Sequence, residues 1–262
     1  MDAKLKVTLI QSYLFWEDTK KNLIQFESKI NAINQKTDII ILPEMFNTSF
    51  SLNVEKLGET MLGTTVSWMK KMAAKMDCVI TGSLIIKEDN KYFNRLLWVK
   101  PVGNIEYYDK HHLFPLSEES QKISPGQEKK LFTLKNWKIC PIICYDLRFP
   151  VWCRNKEEYD ILFVVANWPE SRSSHWRTLL QARAIENQAF VIGVNRVGED
   201  GKNIYHSGDT MLIHPGGNIL FQKMDEEDVY TATIQHDEIG KVRTSFPFLP
   251  DMDPFTLGHP IP

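Results

Sequence analysis

The sequence predicts a layered α/β or α+β domain built on a mixed sheet, and two patterns carry that reading. Short apolar runs of strand length alternate with amphipathic stretches of helix length. Turn signals such as Pro101-Val102-Gly103-Asn104 and Pro215-Gly216-Gly217-Asn218 join neighbouring strands as hairpins between them. A third observation bears on domain number. No internal repeat, low-complexity run or Pro/Gly/Ser linker divides the 262 residues, so a single domain over 1–262 is expected.

The elements follow in order. Lys4–Gln11 reads as the first strand. Across Glu17–Gln35, Leu23, Phe26, Ile30 and Ile33 recur at steps of three and four, which gives a helix one apolar stripe for a sheet. Asp38–Leu42 is a short buried strand that stops at Pro43-Glu44. Thr64–Met76 carries Val66, Met69, Ala73 and Met76 at helical spacing. Cys78–Ile86, Tyr92–Lys100 and Ile105–Tyr108 read as strands, the last two joined by the first of the turns above. Trp137–Ile143 and Asp160–Ala166 are strands on either side of a turn at Cys144. Ser173–Asn187 is a helix with Ser173 or Ser174 as its expected N-cap, and Ala189–Asn195 is a buried strand. Ser207–His214, Ile219–Gln222 and Val229–Ile234 complete a run of hairpins. The segment 247–262 holds five prolines and reads as an extended arm lying across a partner subunit, or as a loose tail.

Composition excludes several classes. Net charge is −2 and the basic residues are scattered, so neither nucleic acid nor an anionic membrane surface is an expected partner. No apolar segment approaches the roughly 20 residues of a membrane span. The N-terminus enters a strand-like pattern without a secretory h-region, which makes a cytoplasmic location the expectation. The four cysteines, Cys78, Cys140, Cys144 and Cys153, form no C-x-x-C pair, and the histidines lie outside zinc-ligand spacing. No metal is expected, and one reduced thiol is available as a nucleophile.

Three strand ends carry residues with chemical potential. Ile142-Ile143 leads into Cys144-Tyr145-Asp146-Leu147-Arg148, which places a thiol at the C-terminal edge of a buried strand. Leu42-Pro43-Glu44 places a carboxyl after another strand, and an apolar setting favours a general base working near neutral pH. Tyr108-Asp109-Lys110-His111-His112 places an ammonium after a hairpin strand. Adjacent histidines on a strand point apart, so one metal would not take both His111 and His112. A thiol whose free pKa is about 8.5 needs a neighbour to become a thiolate. Glu44 can take the proton, and Lys110 can stabilise both the thiolate and an oxyanion. Each of the three also has an ordinary reading: a buried thiol, a loop carboxylate and a solvated lysine. Spacing leaves open whether they converge.

At these three motifs the sequence resembles the nitrilase (carbon–nitrogen hydrolase) superfamily. Leu42-Pro43-Glu44-Met45-Phe46 matches its glutamate motif, and Tyr108-Asp109-Lys110-His111-His112-Leu113-Phe114 its lysine motif. Ile143-Cys144-Tyr145-Asp146-Leu147-Arg148-Phe149-Pro150 matches its cysteine motif. The likeness continues through Asn167-Trp168-Pro169, His175-Trp176, Ala182–Gln188 and Asn195–Gly198, covering nearly the whole chain. Cys144–Trp152 and Val165–Pro169 further resemble the bacterial ω-amidase branch.

The resemblance implies a four-layer αββα sandwich, a Glu44–Lys110–Cys144 triad and no cofactor. It implies hydrolysis of the terminal amide of a small keto-acid such as 2-oxoglutaramate or 2-oxosuccinamate through a thioester. Lys110 and the Tyr145 backbone N–H would hold the oxyanion. Family members carry a further glutamate after the lysine motif; Glu118 and Glu119 both qualify, with Glu119 preferred. Phe46 and Trp168 are expected as pocket walls. Arg172, Arg183 or Arg196 is expected to pair with a substrate carboxylate, although Arg183 equally suits a structural pair with Glu186. Asp146 and Arg148 are expected to form a local ion pair. A homodimer or larger homo-oligomer is also implied. The competing readings are hydrolysis of another C–N bond, such as that of an N-carbamoyl compound, and a silent member kept as a binding protein.

Overall fold

The computed structural model describes residues 4–257. Its strands are β1 (Lys4–Gln11), β2 (Ile39–Ile41), β3 (Val79–Glu88), β4 (Lys91–Val99), β5 (Ile105–Asp109), β6 (Phe132–Leu134), β7 (Trp137–Ile143), β8 (Ile161–Val165), β9 (Phe190–Val194), β10 (Val197–Glu199), β11 (Tyr205–Ile213), β12 (Ile219–Met224) and β13 (Asp228–Gln235). The helices are α1 (Thr19–Asn31), α2 (Val54–Leu57), α3 (Thr64–Met76), α4 (Glu119–Lys122), α5 (Pro150–Cys153), α6 (Ser173–Asn187) and α7 (His236–Ser245). None of the described helices is long and apolar enough to cross a membrane.

Two sheets stack face to face. The six-stranded sheet runs β13-β1-β2-β3-β4-β5, and the seven-stranded sheet runs β10-β11-β9-β8-β7-β6 with β12 paired to β11. β1, β2 and β3 are mutually parallel, as are β7, β8 and β9. Parallel strands buried on both faces read as unbroken apolar runs, and Ile161–Val165 (Ile-Leu-Phe-Val-Val) is wholly buried. The chain crosses back at its end. β13 pairs antiparallel with β1 from Lys4↔Gln235 to Gln11↔Asp228, so the last strand closes the first sheet.

Helices cover both outer faces. The predicted stripe of α1 is buried at Leu23, Phe26 and Ile30, and Asp18 caps its start by accepting the Lys21 N–H at 3.0 Å. α1 and α3 pack on the outer side of the first sheet, where Phe26, Phe46, Trp68 and Met69 join Ile40, Leu42 and Ile80. Full burial of each such side chain contributes roughly 1.5–3 kcal/mol. The inner faces meet through Leu9, Ile41 and Trp98 on one side and Phe132, Ile139 and Phe163 on the other. α6 covers the second sheet with Trp176, Leu180 and Ala184. The helix comes very close there: a Cβ on Gly193 of β9 would lie 2.5 Å from Leu180 and 2.7 Å from Trp176. The result is the four-layer αββα sandwich.

The predicted boundaries of α3, β7 and α6 coincide with those observed. Two points differ. The N-cap of α6 is Arg172, without a side-chain cap, because the short 3-10 turn Glu170–Arg172 leads into the helix and places Ser173 inside it. α7 was not expected; only Ile239 of it is buried, so its apolar stripe is too thin to read. Of the proposed arm, 247–257 is irregular apart from a turn at Leu249–Asp251, and Lys156 Nζ donates to the Phe255 carbonyl at 2.9 Å. Residues 258–262 of it lie outside the described residues.

Candidate active site

The C-terminal ends of β2, β5, β7 and β8 converge at one edge of the sandwich, and each delivers a functional side chain. Glu44 follows β2 and is fully buried. Its Oε1 accepts from Lys110 Nζ at 3.0 Å and Asn94 Nδ2 at 2.8 Å, and its Oε2 accepts the Asn167 N–H at 2.8 Å. Asn167, just past β8, also donates Nδ2 to the Glu44 carbonyl at 2.6 Å. The carboxylate belongs to one sheet, and one of the donors that hold it, the Asn167 N–H, belongs to the other.

Lys110 follows β5 and is 1% exposed. Its ammonium meets Glu119 Oε1 at 3.0 Å and Oε2 at 2.9 Å besides Glu44. Burial alone would lower its pKa, but the charges of Glu119 and Glu44 outweigh that and raise it, so Lys110 is a fixed cation. Glu119 also accepts the Phe114 N–H at 2.7 Å. Burial raises its carboxyl while Lys110 opposes the shift. Glu118 is exposed in a left-handed conformation with φ 63° and takes no part, so Glu119 is the glutamate that meets Lys110.

Cys144 ends β7 in the left-handed region, φ 46°, at the head of a short 3-10 turn. That conformation is uncommon for a residue with a Cβ and turns the thiol out of the strand toward the cavity. Among the four cysteines it is the one that is not buried from solvent. Burial among protein atoms and the charge of Glu44 raise its pKa, against the pull of Lys110. The resting thiol is therefore held protonated by the buried carboxylate near it. Cys78, Cys140 and Cys153 are each pushed up to about 12 by burial and lie in the core, as expected of small apolar residues.

The turn is held by Asp146, not through the expected pair with Arg148. Buried Asp146 accepts from Ile143 N (3.1 Å), Tyr108 Oη (2.7 Å), His112 N (2.8 Å) and His112 Nδ1 (2.9 Å). Those bonds tie the cysteine turn to the lysine loop, which leaves no lone pair facing Arg148. The two histidines are packing residues: His111 stacks on Trp152 at 3.8 Å and His112 on Phe149 at 3.6 Å. Tyr108→Phe removes one donor from a buried carboxylate and is expected to cost about 1–3 kcal/mol; urea unfolding measures it.

The cavity above Cys144 encloses about 650 Å³ including its open mouth. Tyr145, Trp168 and Arg172 line it. Phe46 does not. It points to the other side of the sheet, fully buried against Phe26 (5.5 Å) and Trp68 (5.9 Å), and Phe50 supplies that wall. The left-handed residues Met45 (φ 43°) and Ser49 (φ 61°) bend the chain between them, a geometry that spacing does not reveal. Arg183 makes the structural pair with Glu186 at 2.8 Å and donates to the Leu147 carbonyl at 2.8 Å. Arg196 is buried, bonding the carbonyls of Val197 and Glu199. Arg148, Phe114 and His206 reach the cavity without having been singled out for it. Arg148 is one turn from Cys144, and that spacing is the signal that could have found it.

Comparison with known proteins now bears on this geometry. The carbon–nitrogen hydrolase family model matches residues 6–244. The chain is a carbon–nitrogen hydrolase. This hydrolase is 40% identical to the omega-amidase YafV of Yersinia enterocolitica, over 97% of its own chain and 99% of that one. It is 33% identical to the 2-oxoglutaramate amidase of Bacillus subtilis, covering 95% and 98% respectively. A solved structure, XC1258 of Xanthomonas campestris, a superfamily protein with an arsenic adduct in its active site, superposes with a TM-score of 0.95. That pair is 39% identical, with coverage of 97% of this chain and 99% of the other. The carbon–nitrogen hydrolase thus has the nitrilase-superfamily fold throughout and acts on carbon–nitrogen bonds other than peptide bonds.

Proposed function

We propose that the protein is an ω-amidase that hydrolyses the terminal amide of 2-oxoglutaramate or 2-oxosuccinamate to the dicarboxylate and ammonia. The observation that carries the reading is that Cys144 and Lys110 line one cavity, with Lys110 bonded at 3.0 Å to a buried Glu44 whose charge keeps the thiol protonated. A neutral thiol next to a base suits attack coupled to proton transfer. The ω-amidase and 2-oxoglutaramate amidase relatives support the substrate.

In this mechanism the S–H proton passes to Glu44 as sulfur bonds to the amide carbon. The carbonyl π electrons move to oxygen, and Lys110 and the Tyr145 N–H hold that oxyanion. The first N–H groups of a helical turn lack partners within the turn, which makes Tyr145 a suitable donor. As the tetrahedral adduct collapses, the C–N bond breaks and Glu44 returns its proton to nitrogen, releasing ammonia and leaving a thioester. Water then gives a proton to Glu44 and its oxygen to the acyl carbon. The C–S bond breaks, the acid departs, and sulfur regains its proton. Glu119 orients Lys110 throughout. Arg172 pairs with the substrate carboxylate. The protein works as a cytoplasmic homodimer or larger homo-oligomer.

The test is ammonia release from 2-oxoglutaramate, 2-oxosuccinamate, glutamine and an N-carbamoyl amino acid. The keto-acid amides are expected to turn over, with a mass shift on the Cys144 peptide marking the acyl-enzyme in quenched samples. Turnover of the carbamoyl compound alone would make the ω-amidase reading wrong.

A further inference from the structure

Two arginines face the cavity with no carboxylate to answer them. Arg148 leaves the cysteine turn and lies over the Trp168 ring, 4.6 Å from its centroid, with Nη1 3.3 Å from His175 Nδ1. Arg172 ends the turn before α6 and lies 5.5 Å from the Phe114 centroid. Both line the cavity that holds Cys144. Among the described residues neither forms an ion pair with Asp or Glu, whereas Arg95, Arg177 and Arg183 each do.

The surroundings add to the excess of positive charge. Burial, and then the charge of Arg172 on the same cavity, hold the Arg148 guanidinium below its ordinary pKa. Lys202 also lines the cavity. The Asp200 carboxylate beside it is engaged by its own hairpin, with Oδ1 accepting Lys202 N at 2.8 Å and Ile204 N at 3.0 Å. His206 contributes no charge near neutral pH, because burial and then Arg196 lower it to about 4. Like charges held together in a partly dehydrated cleft are unfavourable unless an anion joins them.

We infer that Arg148 and Arg172 form one specificity site, taking the planar carboxylate–keto end of an ω-amide keto-acid and rejecting the α-ammonium of the matching amino-acid amide. This rests on the amidase reading above. Two guanidiniums present several donors in fixed forks, and a 2-oxo acid offers coplanar acceptor oxygens to both. Glutamine carries the same amide and carboxylate but places a cation where the keto-acid places an acceptor. Charge at this wall, and not the chemistry at Cys144, separates the two compounds.

The test compares Arg148→Leu, Arg172→Leu and Arg172→Lys with wild type by two ratios. The first is kcat/KM for 2-oxoglutaramate over that for pentanamide, a neutral amide of equal carbon number. Each leucine variant is expected to lower it about a hundredfold, the size of a lost charged hydrogen-bond pair, and lysine to recover part of the loss. The second is the alkylation rate of Cys144 with iodoacetate over that with iodoacetamide. Wild type is expected to exceed free cysteine in that ratio, and the leucine variants to fall to it. Each ratio is taken within one sample, so a smaller folded fraction cancels. If the alkylation ratio falls as described but wild type hydrolyses no keto-acid amide, the cationic wall stands and the substrate reading fails. Both ratios staying within about twofold of wild type would overturn the assignment.

Discussion

Glu44→Gln is expected to slow amide hydrolysis by about a thousandfold while making Cys144 react faster with iodoacetamide near neutral pH. The opposite signs follow from what Glu44 does to the thiol. After burial, its negative charge is the largest influence raising the Cys144 pKa, and Lys110 opposes it. Glutamine removes that charge and leaves the cation, so more of the thiol is ionised at a given pH. Ionised sulfur alkylates, which needs no base. Hydrolysis still fails, because no group takes the thiol proton during attack or returns one to the leaving nitrogen. The glutamine Oε1 can keep Lys110 and Asn94, but its NH2 then faces the Asn167 N–H, so circular dichroism should accompany the rates. Alkylation slowing together with hydrolysis would show that Glu44 is not a base held against a neutral thiol.

Lys110→Met is expected to cost both activity and stability, with a stability loss of about 3–5 kcal/mol at neutral pH. Methionine fills similar volume but strands two carboxyl groups, Glu44 and Glu119, to which no other lysine bonds among the described residues. The pH dependence has a definite sign. Burial already raises the Glu119 pKa above its ordinary 4.5, and Lys110 is the main restraint on that rise. Without Lys110 the folded value climbs further, so the folded chain keeps a proton that the unfolded chain has released. Stability from such a group is full below 4.5 and is lost as pH rises through the folded value. The variant should therefore melt at a higher temperature near pH 5 than near pH 8, with a larger difference than in wild type. A Tm that does not depend on pH would mean that the carboxyl pair is neutralised some other way. Loss of the cation also removes an oxyanion donor, worth about a hundredfold or more in kcat.

Much of this was legible in the sequence because the chemistry sits at strand ends and strands are easy to find. The apolar runs before Glu44 and Cys144 have the lengths and neighbours of buried strands, and helical periodicity placed α3 and α6 to the residue. Motif resemblance then joined Glu44, Lys110 and Cys144, and the structure bonds Lys110 to Glu44 and sets Lys110 and Cys144 on one cavity. What escaped depends on backbone turns and on the far side of the molecule. Phe46 and Phe50 are both aromatic and four residues apart, and nothing in the sequence says that left-handed residues send one out and the other in. Asp146 looked like a partner for Arg148 by proximity along the chain. Its real donors, Tyr108 and His112, come from a strand and loop more than thirty residues earlier. Arginine roles are the hardest to read, since a long side chain reaches either a carbonyl, as Arg196 does, or the cavity, as Arg172 does.

The bonds from Asn167 to Glu44 cross between the sheets, and that has a consequence for how activity appears during folding. The base and the cation belong to the first half of the chain, and the thiol and the two Asn167 donors to the second. A partly folded form with only the first sheet assembled holds a carboxylate and an ammonium but no nucleophile beside them. One with only the second sheet holds a bare thiol without a base. On the proposed mechanism neither can cleave an amide, so competence requires both sheets to close on one another. Turnover by that mechanism would count closed sandwiches alone.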